Sequence, residues 1–288
     1  MNWSSTNSTE LLEQLSHHEG YQDPFKRVNW LRLNRDTYWL PEAALSLAGI
    51  AEFEALPEKQ RKLLSQLEFI HILEAGMWLE GLFMERLSRS AYHAGENLAL
   101  LKFHLNQLRE EAGHSLVFAE IIQRSGLARV PTQFYKLHWM NRLARYAPMS
   151  SMVFWLAVMI GEEIPDRLNR FIRQHRDSIC PAIYDVATFH TIDEARHISF
   201  SRRVVDAGAK HMSPLKARIL TPILQRLLNQ FLNRYFYPEP GLYDLAGLSP
   251  GIAWATLARN NPQRVQFVRK QVSGVLRHLD DIGFHLTY

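Results

Sequence analysis

Apolar positions recur along most of this chain at helical spacing. Between residues 58 and 89, Phe69, Leu73, Gly76, Met77, Phe83, Met84 and Leu87 follow at the period of one face of an α-helix. Leu56-Pro57-Glu58 opens that segment, with proline at an early position where a missing N–H is tolerated. A turn at His93-Ala-Gly95 leads into a second long helix predicted over 96–123, which Ser125-Gly126 ends. Two long helices joined by a short turn must lie antiparallel. A third helix is predicted over 150–174 and a fourth over 182–206. Pro165 falls inside the third and is expected to kink or break it.

The ends of the chain are patterned differently. Thr9 to His17 reads as one short helix stopped by Asp23-Pro24, and Arg27 to Trp39 as an arm packed on the main body. Pro41 opens a short helix to about Phe53, and Val130-Pro131 begins an irregular connection. Ser213-Pro214, Ser249-Pro250 and Asn261-Pro262 each start one further helix, the last reaching about Ile282. No segment alternates with the period of a strand. The chain is therefore predicted to be all-α and a single domain. Residues 1–56 form an arm with short helices, 57–208 a core bundle, and 209–288 additional C-terminal helices.

Composition narrows the classes. A chain of 288 residues, 47% hydrophobic, can bury one large core. The net charge of +4 is spread among interspersed acids and bases, so no nucleic-acid partner is expected. The single cysteine, Cys180, excludes an intrachain disulfide and a cysteine-based zinc site, and fits a cytoplasmic protein. The longest apolar run, from Met152 to Ile160, is too short to span a bilayer, and the polar N-terminus lacks a signal-peptide pattern. Apolar positions after residue 213 are compatible with a homodimer.

The candidate chemistry lies on the four long helices. His190, Glu194 and His197 follow at steps of four and three, which places all three on one stripe of the fourth helix. Glu-x-x-His occurs twice more, at Glu111–His114 in the second helix and at Glu68–His71 in the first. Imidazole and carboxylate together suit iron or manganese. A single such pair is expected by chance, so helical order has to discriminate. A four-helix dimetal bundle takes one Glu from each of two helices and Glu-x-x-His from each of the other two. The four helices offer that order. Glu68 and His71 lie far from the level of Glu111 across the hairpin and read as a solvated or supporting pair.

On the first helix the single carboxylate is Glu80 or Glu74. Glu80 is preferred because it interrupts an apolar stripe, where a carboxylate needs a cation or a partner. Gly76, one turn away, would leave room beside a metal. On the third helix Glu163 is preferred to Glu162 because it continues the stripe of Leu156, Met159 and Ile160. Glu110 and Asp193 each precede a ligand and either orient a ligand histidine or sit at the surface. Met77, Phe83, Met84, Leu108, Phe118 and Met159 are candidate apolar lining.

Three segments carry a resemblance. They are Arg109-Glu-Glu111-Ala-Gly-His114, Ile160-Gly-Glu-Glu163-Ile, and His190-Thr-Ile-Asp-Glu194-Ala-Arg-His197-Ile-Ser-Phe. Together they resemble the p-aminobenzoate N-oxygenase (AurF-type) family of non-haem di-iron oxygenases, over about residues 60–285. The histidine ahead of the last Glu-x-x-His is the distinctive feature. The resemblance implies a ferritin-like four-helix bundle core and the ligand set Glu111, His114, Glu163, His190, Glu194 and His197, plus Glu80 or Glu74. It further implies two iron ions, O2 as co-substrate, and an external electron donor or redox partner. The implied reaction takes an amine towards hydroxylamine, nitroso and nitro compounds. Oxidation at carbon and ferritin-like iron binding are the alternatives for the same ligands.

Overall fold

The computed structural model describes residues 22–92, 97–130, 136, 138–149 and 151–288. The helix expected over residues 9–17 and the turn at 93–95 lie outside them. Among the described residues the chain is helical, with 3-10 turns and one isolated bridge between Tyr38 and Ile179.

The helices are α1 (Ala51–Glu54), α2 (Glu58–Tyr92), α3 (Leu98–Ser125), α4 (His138–Tyr146), α5 (Met152–Gln174), α6 (Pro181–Ala209), α7 (Pro214–Phe236), α8 (Pro240–Leu245), α9 (Gly251–Asn260) and α10 (Pro262–Asp281). Helices α2 with α3, and α5 with α6, form two closely packed hairpins that meet where α3 touches α6. The C-terminal helices clasp this core, with α10 against α5 and α7 against both α2 and α5.

The helix ends follow local chemistry. Asn97 caps α3 by accepting a hydrogen bond from the Leu100 N–H at 3.0 Å. Gly126 ends it with a left-handed φ of 60°. Ser213 and Asn261 cap α7 and α10, each followed by proline in the first turn.

Three sequence expectations need correction. The segment from Pro41 to Phe53 is not one helix. A 3-10 turn at Glu42–Ala44 and the short α1 are separated by Gly49, whose φ of 78° a helix cannot hold. The connection after Pro131 contains α4, a nine-residue helix too short to declare itself by periodicity. Helix α5 runs unbroken through Pro165. The ring removes the donor that the Gly161 carbonyl would receive. Burial of Ile164, Pro165, Asp166 and Leu168 holds the helix in register across that gap.

Glu68 and His71 are neither solvated nor near the other ligand candidates. Glu68 is buried and accepts hydrogen bonds from the Ser46 hydroxyl and from the Ser46 N–H at 3.1 Å; that hydroxyl also lies 2.9 Å from the Tyr243 hydroxyl. Burial raises its carboxyl above the usual range, opposed chiefly by Arg264. Arg264 donates in turn to the carbonyls of Phe236 and Ala44. His71 contacts the Arg234 carbonyl at 2.7 Å. The pair thus ties the N-terminal segment and the C-terminal helices to α2.

No helix among the described residues is long and apolar enough to cross a membrane. Helix α7 leaves Leu215, Ile219 and Ile223 exposed.

The α5–α6 hairpin is closed at one end by Gly208. A Cβ built there would lie 2.8 Å from the Met152 Cβ, the first residue of α5. Gly208→Ala is expected to destabilise the protein by about 1–3 kcal/mol through overpacking. Urea unfolding would read this as a lower midpoint at constant slope. An unchanged midpoint would show that the start of α5 shifts freely.

Candidate metal centre

The two hairpins bring six of the candidate chemical groups to one buried place. Helix α2 contributes Glu80, α3 contributes Glu111 and His114, and α6 contributes His190, Glu194 and His197; all six are buried. Their donor atoms fall into two adjoining groups. Glu80, His114, His190 and Glu194 form one, and Glu111, Glu194 and His197 the other, each within 4.8 Å.

Glu194 belongs to both groups and faces each with a different oxygen. Its Oε1 lies 3.3 Å from His114 Nδ1 and 3.6 Å from His190 Nε2. Its Oε2 lies 2.9 Å from His197 Nδ1. Glu111 is arranged alike, with Oε2 3.4 Å from His114 Nδ1 and Oε1 2.8 Å from His197 Nδ1. Glu80 Oε1 reaches only the first group, 3.5 Å from His190 Nε2 and 3.8 Å from His114 Nδ1. A divalent ion holds its donors at about 2 Å, which spaces neighbouring donors about 3 Å apart. The separations here are of that size.

On α5 the carboxylate that feels the cluster is Glu162. Glu163, the residue preferred from the sequence, is instead engaged by an arginine. Glu163 accepts from Arg202 Nε at 2.5 Å and from its Nη2 at 2.6 Å, turned away from the cluster. Glu162 senses the cluster directly. Burial first, then repulsion from Glu194, Glu111 and Glu80, pushes its carboxyl well above the usual range. The apolar stripe Leu156, Met159, Ile160 predicts a buried Glu163, and Glu163 is buried, but against an arginine. Glu74 pairs with Arg129 at 3.2 Å, outside the cluster.

The electrostatics are those of anions confined together. Burial, then Glu80 and Glu194, pushes Glu111 up to about 7. Burial works the same way on Glu194, but His197, His190 and His114 outweigh it and hold the carboxyl well below the usual range. Burial depresses His190 to about 4. None of Glu80, Glu111, Glu162 and Glu194 has a lysine or arginine partner among the described residues. Glu80 Oε2, both oxygens of Glu111, His114 Nδ1 and Glu194 Oε1 are buried without a hydrogen bond. Such atoms are costly unless a cation takes them up. This donor set fits two divalent ions.

A second ring of residues orients the histidines. His114 Nε2 lies 3.4 Å from Asp193 Oδ2, and His197 Nε2 lies 3.1 Å from Glu110 Oε2. Each anion holds the Nε2–H and leaves Nδ1 free to face the cluster. The acid preceding each Glu-x-x-His therefore supports the histidine of the other helix. Both acids are themselves anchored. Arg27 Nη1 donates to Asp193 at 2.9 Å, and Arg196 Nη2 to Glu110 at 2.7 Å. His190 faces the cluster through Nε2 instead, and its Nδ1 lies 3.1 Å from the Asn169 amide. The group placed against the ring is Asn169 Nδ2; a turned-over amide would present its oxygen, accept the Nδ1–H and free Nε2.

Sequence reading missed Arg27, Asn169 and Arg202. Asn169 follows Glu162 by seven residues on the same helical stripe, a signal that spacing carries. Arg27 lies in the N-terminal arm, and nothing local points from it to residue 193.

Gly76 does not leave room beside a metal. The Phe118 ring fills that space, 2.9 Å from a built Cβ, and packs 5.5 Å from the His190 ring. Two cavities adjoin the cluster. The smaller is lined by Glu80, Glu162, His190, Asn169 and Phe118 among others. The larger is walled by Trp78, Leu82, Phe83, Phe154, Val158 and Phe231, and shares Leu79, Gly161 and Glu162 with the first. Of the expected apolar lining, Phe83 and Phe118 reach a cavity. Met159 is fully buried, while Met77 and Leu108 pack against the core.

A helical bundle with paired Glu-x-x-His motifs around bridging carboxylates defines a dimetal carboxylate protein of the ferritin-like kind. Residues 4–283 match the family described as p-aminobenzoate N-oxygenase AurF, and the chain belongs to that family. It is 22% identical over 220 residues to uncharacterized proteins Mb0909 of Mycobacterium bovis and Rv0885 of Mycobacterium tuberculosis. Those matches cover 74% of this chain, which spans 61% of the length of these relatives. Among solved structures it is similar to an alanine-to-phenylalanine mutant of an R2-like ligand-binding oxidase with an anaerobically reconstituted Mn/Fe cofactor. That similarity has a TM-score of 0.53 at 16% identity, covering 100% of this chain and 95% of the other. At that identity the likeness establishes the fold.

Two neighbouring substitutions separate the α5 carboxylates. Glu162→Gln is expected to weaken metal binding at least about tenfold, and Glu163→Gln to leave metal content unchanged. Equal loss in both, by metal analysis after dialysis, would refute the placement. Asp193→Asn, which takes the anion from both His114 and Arg27, is expected to cost about 10–100-fold in metal affinity. A competition titration against a chelator measures it.

Proposed function

We propose that this protein is an O2-dependent dimetal oxygenase that transfers one oxygen atom to the nitrogen of an amine. The observation that supports the metal centre is the charge count. Ionised together, the four carboxylates would carry four negative charges, which two divalent cations would balance. The donor set suits iron, and manganese equally. Family membership supports oxygenation, and the p-aminobenzoate in the family's name supports an amine substrate.

The residues divide into roles. Glu111 and Glu194, each facing histidines of both helices, would help hold the two ions. Glu80, His114 and His190 would complete one position, and Glu162 with His197 the other. When bound, two redox-active ions supply the electron transfer to O2 that no side chain here can perform. The balanced step is RNH2 + O2 + two electrons + two protons giving RNHOH + H2O. The electrons come from an external reductant, either a redox protein or a small reductant.

The chain's own contribution is positioning and exclusion of water. Asp193 and Glu110 fix His114 and His197 with Nδ1 inward. Arg27 and Arg196 neutralise those two outer anions, so the inner four keep their demand for cations. Phe83, Phe118 and Phe189 stand against His197, His190 and His114 and keep the rings dry and in place. Glu162, half-buried at the junction of the two cavities, stands where a substrate nitrogen would arrive.

The protein reconstituted anaerobically with ferrous iron is expected to hold two ions per chain. Glu194→Ala, which removes a contact to both positions, is expected to lose both. Iron retained at the unmutated level would overturn the centre. On addition of O2, reductant and an aryl amine, mass spectrometry is expected to find the hydroxylamine carrying one oxygen from labelled O2. Label found on carbon with none on nitrogen would replace N-oxygenation with carbon hydroxylation.

A further inference from the structure

We infer that the larger cavity is the substrate chamber, and that it selects an uncharged, apolar aryl amine carrying no carboxylate. This rests on the dimetal reading above and narrows its substrate.

Three observations support it. First, the cavity reaches the cluster. It shares Leu79, Gly161 and Glu162 with the smaller cavity, which is lined by Glu80 and His190. Gly161 keeps that boundary thin, since a Cβ built there would meet the Leu79 Cδ2 at 3.6 Å and nothing nearer. Second, its wall is apolar. Trp78, Leu82, Phe154, Val158, Leu227 and Phe231 come from four directions, on α2, α5 and α7, with Ala144 and Ala147 closing the side by α4. Third, Glu162 is the one ionisable side chain on that wall among the described residues.

The selectivity follows from charge. A carboxylate on the substrate would enter a wall whose described residues offer no cation to meet it. An alkyl amine is an ammonium near neutral pH. It would bring an uncompensated charge, since Glu162 is committed to a metal in this reading. It also lacks the nitrogen lone pair that accepts oxygen. An aryl amine is neutral at the same pH, keeps its lone pair, and presents a ring that Trp78, Phe83, Phe154 and Phe231 can pack against. The p-aminobenzoate of the family's name carries a carboxylate for which this wall has no partner among the described residues.

The nearest arginine is already engaged. Arg86 lies 5.5 Å behind the Phe154 ring and donates to the carbonyls of Arg145 and Ala147. Its Nε is buried without a partner, which makes it the specific rival to the inference.

Binding to the metal-loaded full chain, measured by calorimetry without O2, tests this separately from turnover. The probes are 4-butylaniline, 4-aminobenzoate and butylamine. 4-Butylaniline is expected to bind on the order of tenfold or more tightly than either charged probe. Ala157→Trp, which fills the cavity from α5, is expected to weaken it by about tenfold or more at unchanged metal content. Leu227→Trp fills the same space from α7 if the first variant does not fold. Equal or tighter binding of 4-aminobenzoate, lost in Arg86→Leu, would overturn the inference in favour of an Arg86 anion site. Unchanged 4-butylaniline binding in a folded, metal-loaded cavity variant would overturn the chamber. Metal content, scored on the same samples, reports separately on the dimetal centre, which stands or falls with Glu194→Ala.

Discussion

Three carboxylates held together out of water, with Glu162 at their edge and no lysine or arginine among them in the described residues, set the terms for the rest of this structure. An isolated buried carboxylate is costly by many kcal/mol, and like charges at a few ångströms add to that cost. Two remedies exist, protonation or cations. The opposed shifts of Glu111, Glu162 and Glu194 show both pressures acting in one place. The carboxylates hold His114 and His197 well above the ordinary imidazole range against their burial, and a metal ion could take the place of the protons they attract.

The arrangement of arginines around this centre is selective. Asp193, Glu110 and Glu163 each have one, in Arg27, Arg196 and Arg202. Glu80, Glu111, Glu162 and Glu194 have none among the described residues. Asp193 and Glu110 thus accept from histidine N–H groups without drawing on the inner charge. Glu68 is the instructive contrast. It shares the Glu-x-x-His spacing and is as deeply buried, yet it faces Ser46, Tyr243 and the field of Arg264. Its charge problem is solved inside the chain, and its role is to fasten the termini to α2. Spacing alone does not distinguish these fates; the sign of the surrounding charge does.

The apolar cavity adds a direction to the site. The cluster is sealed on the α3–α6 side by the second ring of residues and by the phenylalanines. It is reachable past Glu162, where α2 and α5 face α7. Helix α7 lies outside the four ligand-bearing helices, so the C-terminal part of the chain shapes the chamber without supplying a ligand.

Much of this was legible in the chain itself. The four long helices, their antiparallel pairing and their end signals follow from apolar period, proline and glycine, which are local properties. The stripe of His190, Glu194 and His197, and the order of the motifs along the helices, likewise depend only on helical geometry. The choice of Glu162 over Glu163 was not legible, because adjacent residues on a helix differ by about 100° and both face something buried. What decided it was Arg202, a turn and more beyond the ligands on another helix. The role of Arg27 was equally hidden, since 166 residues separate it from Asp193. So was the continuity of α5 through Pro165, which is held by packing and not by propensity. Local geometry determined which residues share a face. Only the tertiary structure decided what each face meets, because a side chain's charge and protonation depend on partners that sequence distance does not reveal.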